Sequence, residues 1–199
     1  MRTLCRQDGF SIMELLATLA IVGVVAATAL PSTSRTLADL RLSGDARNVH
    51  HAVGLAKMRA AARFTRERVY VDHTTNTFHL EFWDKSLSPA NWVDELDPTQ
   101  SLQRDVTFGF GGLTAPPANT QSALAQAPPC RTNAGGAIAN TSCIVFNSRG
   151  IPLDGTGNIT GESALYLTDG TGTYGVTLSQ TPLIRLWWTR ADSTNWIER

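Results

Sequence analysis

The sequence predicts an α+β protein, with one long N-terminal helix ahead of an antiparallel β-sheet head. Three observations predict it: an uncharged apolar run, an amphipathic run of helical period, and short β-branched and aromatic segments set between turn residues. At 199 residues the chain fits one domain with an extension. Seventeen basic residues balance 17 acidic ones, which argues against a chain basic throughout and against a charge-swollen disordered one. Charged residues make up 17%, below the roughly 25% usual for soluble domains.

The deficit starts at the N-terminus. Residues 15–34 (LLATLAIVGVVAATALPSTS) carry no charge. Twenty helical residues at ~1.5 Å each reach ~30 Å, the thickness of a bilayer core. Arg2 and Arg6 precede the run and only Asp8 opposes them, so the positive-inside tendency keeps the N-terminus cytoplasmic and exports the rest. A secretory signal peptide fits poorly, because no A-x-A-like cleavage site precedes a mature start and the apolar run is too long. Glu14 lies inside the apolar stretch, between Met13 and Leu15, where an unpaired carboxylate is costly and calls for a partner.

The stretch Gly9-Phe10-Ser11-Ile12-Met13-Glu14-Leu15-Leu16 resembles the processing site of type IV prepilins and type II secretion pseudopilins. Gly23 and Pro31 stand where pilins often carry Gly and Pro. The resemblance implies that residues 1–9 are a leader, cut after Gly9 by a membrane-bound prepilin peptidase that then N-methylates Phe10. It also implies a partner for Glu14, the charged amine of Phe10 on a neighbouring subunit. Residues 10–34 then form the transmembrane and assembly helix.

Past Pro31, which is expected to kink the helix rather than end it, Leu42, Ala46, Val49, Val53, Ala56, Ala60 and Phe64 recur at steps of three and four. That spacing predicts one apolar face of an amphipathic helix over 35–68. The segment carries eight basic residues against Asp39, Asp45 and Glu67, which suits a solvated face near anionic lipid headgroups. A phosphate-binding stripe is the sharper alternative.

Residues 69–199 read as a β-rich head. Strands are expected at 69–73, 77–83, 106–110, 143–146, 164–167, 174–178 and 183–188, with a tight turn at Asn76 and loops over 84–103 and 114–129. Leu55-Ala56-Lys57-Met58-Arg59-Ala60-Ala61-Ala62 and Ile144-Val145-Phe146-Asn147-Ser148-Arg149-Gly150 resemble the helix end ahead of the first strand and the Phe-x-x-x-Gly strand end of the GspH/FimT branch of minor pilins. Some DNA-binding members of that branch end in Gly-Arg-x-Arg. This chain has only Arg190 near that place, with Arg185 and Arg199 as further candidates for phosphate.

Cys5 lies in the leader, so the mature chain keeps Cys130 and Cys143 with twelve residues between them. In the periplasm or outside the cell such a pair is expected to be oxidised. Closing a loop of that size is worth ~3 kcal/mol in the chain-entropy model. No catalytic motif appears: there is no Gly-x-Ser-x-Gly, His-Glu-x-x-His, Walker loop or Cys-x-x-Cys. No cofactor is expected. Asp154-Gly155-Thr156-Gly157-Asn158 with Glu162 offers oxygens that would suit calcium, though without EF-hand spacing, so a Gly-rich turn is the default.

Together these readings imply a minor pilin or pseudopilin, a non-enzymatic subunit of a type IV pilus or type II secretion pseudopilus. Its expected partners are other pilin subunits, the prepilin peptidase, the inner-membrane assembly platform and, before assembly, membrane lipid. Its expected location is the inner membrane, with the head in the periplasm, and then the filament. A DNA-binding minor pilin for DNA uptake and a major pilin are the alternatives.

Overall fold

The computed structural model describes residues 11–96 and 98–199, and within these the side chains of residues 28–34 are left aside. Cys5, Gly9 and Phe10 lie outside the described residues, as does the side chain of Pro31. The chain divides into two units, Met1–Ala38 and Asp39–Arg199. One helix, α1 (Ile12–Arg63), passes through both and continues through Pro31.

In the first unit, Ser11 caps α1. Its Oγ accepts from the Met13 N–H at 3.3 Å, and its carbonyl accepts from Glu14 and Leu15 at 3.0 Å each. Glu14 occupies the first turn, where a negative charge complements the helix dipole. The apolar side chains that follow, among them Ile12, Met13, Leu19, Ile21 and Val24, are all exposed.

In the second unit the helix finds a partner within its own chain. Leu42, Ala46, Val49, Val53, Ala56 and Ala60 are at most 2% exposed and join one core with residues of both sheets. Asp45, buried on the same helix, accepts the Gln103 N–H at 2.7 Å, and Lys57 Nζ donates to the Pro182 carbonyl at 2.9 Å.

Phe64 does not extend the apolar face; it is 76% exposed. The reason is backbone geometry. Phe64 sits at φ 53°, and the Thr65 N–H reaches back to the Ala60 carbonyl at 3.3 Å, a Schellman-type end. The helix therefore stops at Arg63, short of the expected Arg68, and Glu67 and Arg68 already belong to a strand.

The head contains two antiparallel sheets where the sequence suggested one. The first holds β1 (Glu67–Asp72), β2 (Thr77–Asp84), β3 (Asn91–Asp94), β4 (Gln100–Ser101), β6 (Thr141–Phe146) and β7 (Pro152–Leu153). They run in the order β3-β2-β1-β6-β7, with β4 also on β2. The second holds β5 (Thr107–Phe108), β8 (Ala164–Thr168), β9 (Gly172–Leu178), β10 (Ile184–Arg190) and β11 (Ile197–Glu198), in the order β11-β10-β9-β8-β5. β3 and β4 fall within the expected 84–103 loop. Their short segments become strands by pairing with β2, Trp92 opposite Trp83 and Gln100 opposite Phe78.

Val69, Val71, Phe78, Leu80, Ile144 and Phe146 supply the first sheet's share of the core, and Leu165, Leu167, Val176, Leu178 and Leu186 the second's. After Phe146 the chain turns at Gly150, whose φ is +70°. A Cβ there would lie 3.1 Å from Lys57 Cγ and 3.3 Å from its carbonyl, so the turn and α1 approach closely only because the residue is glycine.

Candidate functional site

The expected assembly residues lie on the first stretch of α1. Glu14 is exposed and within one turn of the helix start. A Cβ on Gly23 would meet nothing within 4 Å among the described residues. Among the described residues no helix is long and apolar enough to cross a membrane. The described side chains of the uncharged run end at Ala27.

In the head, Cys130 and Cys143 form a disulfide with Cα atoms 4.8 Å apart. Both are buried, and the Cys130 N–H donates to Thr141 Oγ1 at 3.0 Å. Cys143 stands opposite Tyr70 in the β1–β6 ladder, so the bond ties the 130–143 loop to the first sheet.

The three C-terminal arginines are spread over the end of the chain, Arg185 and Arg190 near the two ends of β10 and Arg199 after β11. Arg185 pairs with Glu198 at 3.6 Å, and the Arg199 guanidinium lies 5.3 Å from the centre of the Trp188 ring. Arg190 ends β10 and is exposed. At 154–158, Asp154 Oδ1 accepts from Thr156 N–H and Oγ1 at 2.8 Å each and from Asn158 N–H at 2.9 Å, which organises a turn. These hydrogen bonds hold the Asp154 carboxyl below its ordinary value, led by the Thr156 hydroxyl. Glu162 instead accepts from Ser122 at 3.2 Å.

Two clusters escaped the sequence reading. The first lies at the junction of α1 and β1. Glu67 is fully buried, and among the described residues neither carboxylate oxygen has a hydrogen-bond partner. Burial first, and then the neighbouring Glu95 charge, push its carboxyl up to about 8, against the opposing pull of Arg63 and Arg59. Glu95 takes both Arg63 nitrogens, one at 3.0 Å, and lies 3.5 Å from Arg59. The alternation of strand β1 explains the placement. Glu67 shares the inward parity of Val69 and Val71, whereas helical periodicity had put it on a solvated face.

The second cluster covers the opposite face of the first sheet. Arg68, Tyr70, His79, Glu81 and Trp83 alternate with the core residues of β1 and β2, and Trp92 on β3 stands opposite Trp83. Arg68 pairs with Glu81, donates to the Arg131 carbonyl at 2.8 Å and lies 4.2 Å from the centre of the Trp92 ring. Burial raises the Glu81 carboxyl, but hydrogen bonds from His79 and Arg68 outweigh it, so it sits below its ordinary value. Glu81, His79 and Asp94 bring three candidate ligand atoms within 4.8 Å of one another. With Glu81 committed to Arg68, the trio reads as an ion-pair network.

Residues 4–30 match the family described as the prokaryotic N-terminal methylation motif. The match supports a type IV pilin-like or pseudopilin-like protein. It suggests a structural subunit that is anchored at a membrane and assembles with others of its kind. One helix followed by antiparallel sheets is consistent with that reading. The chain matches no curated protein and no solved structure.

Proposed function

We propose that the chain is a minor pilin or pseudopilin, cleaved after Gly9, methylated on Phe10 and assembled through the first stretch of α1 into a type IV pilus or a type II secretion pseudopilus. In the membrane before assembly, its N-terminus is cytoplasmic and its head periplasmic. The observation that carries this reading is a row of exposed apolar residues, from Ile12 to Val25, within the stretch that matches the methylation motif. Burying each large apolar side chain is worth ~1.5–3 kcal/mol, so such a row seeks lipid first and neighbouring helices afterwards.

Glu14 then acts as a register device. Its carboxylate pairs with the methylated amine of Phe10 on an adjacent subunit, which neutralises both charges in an apolar filament core. The test is expression beside a prepilin peptidase and the assembly platform, followed by mass analysis of the N-terminus and shearing of filaments. The expected product begins with singly N-methylated Phe10. Glu14→Ala is expected to be cleaved normally but lost from the sheared fraction. An uncut wild-type chain, or Glu14→Ala filaments at the wild-type level, overturns the proposal.

A further inference from the structure

The first sheet's outer face carries a cleft of about 230 Å³, bounded by Trp83, Trp92, Arg66, Arg131 and the Pro128-Pro129 pair. A second cleft shares Arg66, Trp83, Leu153 and Gly157 with the first and continues to Lys85, so the two form one groove. Trp83 and Trp92 stand opposite each other in the β2–β3 ladder, their ring centres 5.3 Å apart and their planes at 72°. They make a corner in which a flat ring stacks on one indole and meets the edge of the other.

Arg68 fixes that corner by lying against Trp92, and Glu81 neutralises it, so Arg68 steadies the indole and leaves no net charge. Arg66, Arg131 and Lys85 are exposed and have no carboxylate partner among the described residues. The acid in the lining, Asp154, has one carboxylate oxygen engaged by three donors of its own turn. The groove therefore offers fixed aromatic surface beside unspent positive charge.

We propose that this groove binds a single strand of nucleic acid, with a base seated in the Trp83–Trp92 corner and phosphates on Arg66, Arg131 and Lys85. A strand uses both features at once, because base stacking on aromatic rings and backbone neutralisation by cations are the two terms that hold single strands. An acidic peptide would use the cations and leave the indoles idle. A duplex keeps its bases stacked inside and cannot fill the corner. The site is separate from the C-terminal arginines and from the assembly stretch of α1, and it stands or falls independently of filament formation.

The test is fluorescence anisotropy of labelled oligothymidylate with the full chain in detergent micelles, across a salt series. Wild type is expected to bind the oligonucleotide and to prefer it to a duplex of equal length and to polyglutamate. The triple variant Arg66→Gln, Arg131→Gln, Lys85→Gln should weaken binding and lower the slope of log affinity against log salt by about two, at ~0.7 per phosphate contact. Trp83→Leu should cost about tenfold with the slope unchanged, while Trp83→Phe, which keeps a ring, should retain most of the affinity. Arg185→Gln with Arg190→Gln should bind as wild type. Equal competition by polyglutamate, equal affinity for the duplex, an unchanged triple variant, or equal losses in Trp83→Leu and Trp83→Phe would each overturn the proposal.

Discussion

Residues 12–25 and 42–60 belong to the same helix, yet their apolar side chains meet opposite fates. In the first stretch Ile12, Leu19, Ile21 and Val24 are all more than half exposed; in the second, Val49, Val53, Ala56 and Ala60 are fully buried. Local conformation does not separate them, since both are α-helical. Residue size and partner do. The second stretch puts small side chains toward two sheets of its own chain, so the backbones approach closely. The first carries large, branched side chains that stay exposed and is charge-free from Leu15 onward, which suits the partner outside the chain proposed above.

The largest test of that contrast places a charge in each stretch. Val53→Asp buries an uncompensated carboxylate and should unfold the head, a loss of at least about 4 kcal/mol visible as collapse of the thermal transition. Val22→Asp should leave the head's melting midpoint unchanged and abolish assembly instead. If Val22→Asp lowers the midpoint as Val53→Asp does, the first stretch has a partner in the monomer and the contrast is wrong.

Reducing the disulfide comes next. Cys130→Ser with Cys143→Ser should cost about 3 kcal/mol in denaturant unfolding and leave the first stretch of α1 untouched. A loss well below 1 kcal/mol would mean that the 130–143 loop contributes little to the head's rigidity.

A glycine pair sets the two stretches side by side more gently. Gly150→Ala adds a Cβ against Lys57 in a left-handed turn and should destabilise the head by about 1–3 kcal/mol. Gly23→Ala meets nothing and should leave the head's stability within ~0.5 kcal/mol of wild type, its effect appearing only in filament yield. Equal effects on melting would erase the distinction.

The most gradual effect, spread over several pH units, is the pH dependence at Glu67. Its folded carboxyl holds a proton up to about 8, while the unfolded group releases it near 4.5. The folded state thus binds more protons between those values, so its stability is fully present below pH 4.5 and declines as pH rises toward 8. The slope from this one proton is no steeper than ~1.4 kcal/mol per pH unit. Glu67→Gln should flatten that part of the stability curve. An unaltered slope in Glu67→Gln would place the titration elsewhere, Asp45 being the other buried carboxyl raised by desolvation.

The buried face of α1 was legible because periodicity survives folding. Each of Leu42, Ala46, Val49, Val53, Ala56 and Ala60, read from steps of three and four, is buried. Phe64 fits the same spacing but not the structure, because a left-handed residue ends the helix before the face can continue. β3 and β4 were unreadable for a different reason. Segments of four and two residues have too little pattern to count, and they become strands only when β2 offers its edge. The Trp83–Trp92 corner was hidden for the same reason, since Trp92 lay in an apparent loop.

The sequence by itself determined the order of the chain: an uncharged stretch behind a methylation motif, a basic amphipathic helix, then alternating strands and turns. Those features are local, and a local period or motif needs no knowledge of what packs on it. The tertiary structure alone decided that the strands form two sheets and that Glu67 turns inward. It alone decided that Arg185 pairs with Glu198 while Arg66 and Arg131 have no carboxylate partner among the described residues. Each of these depends on which distant segment pairs with which, and pairing is settled by the burial and ladder hydrogen bonds of the whole fold rather than by any residue's neighbours in the chain.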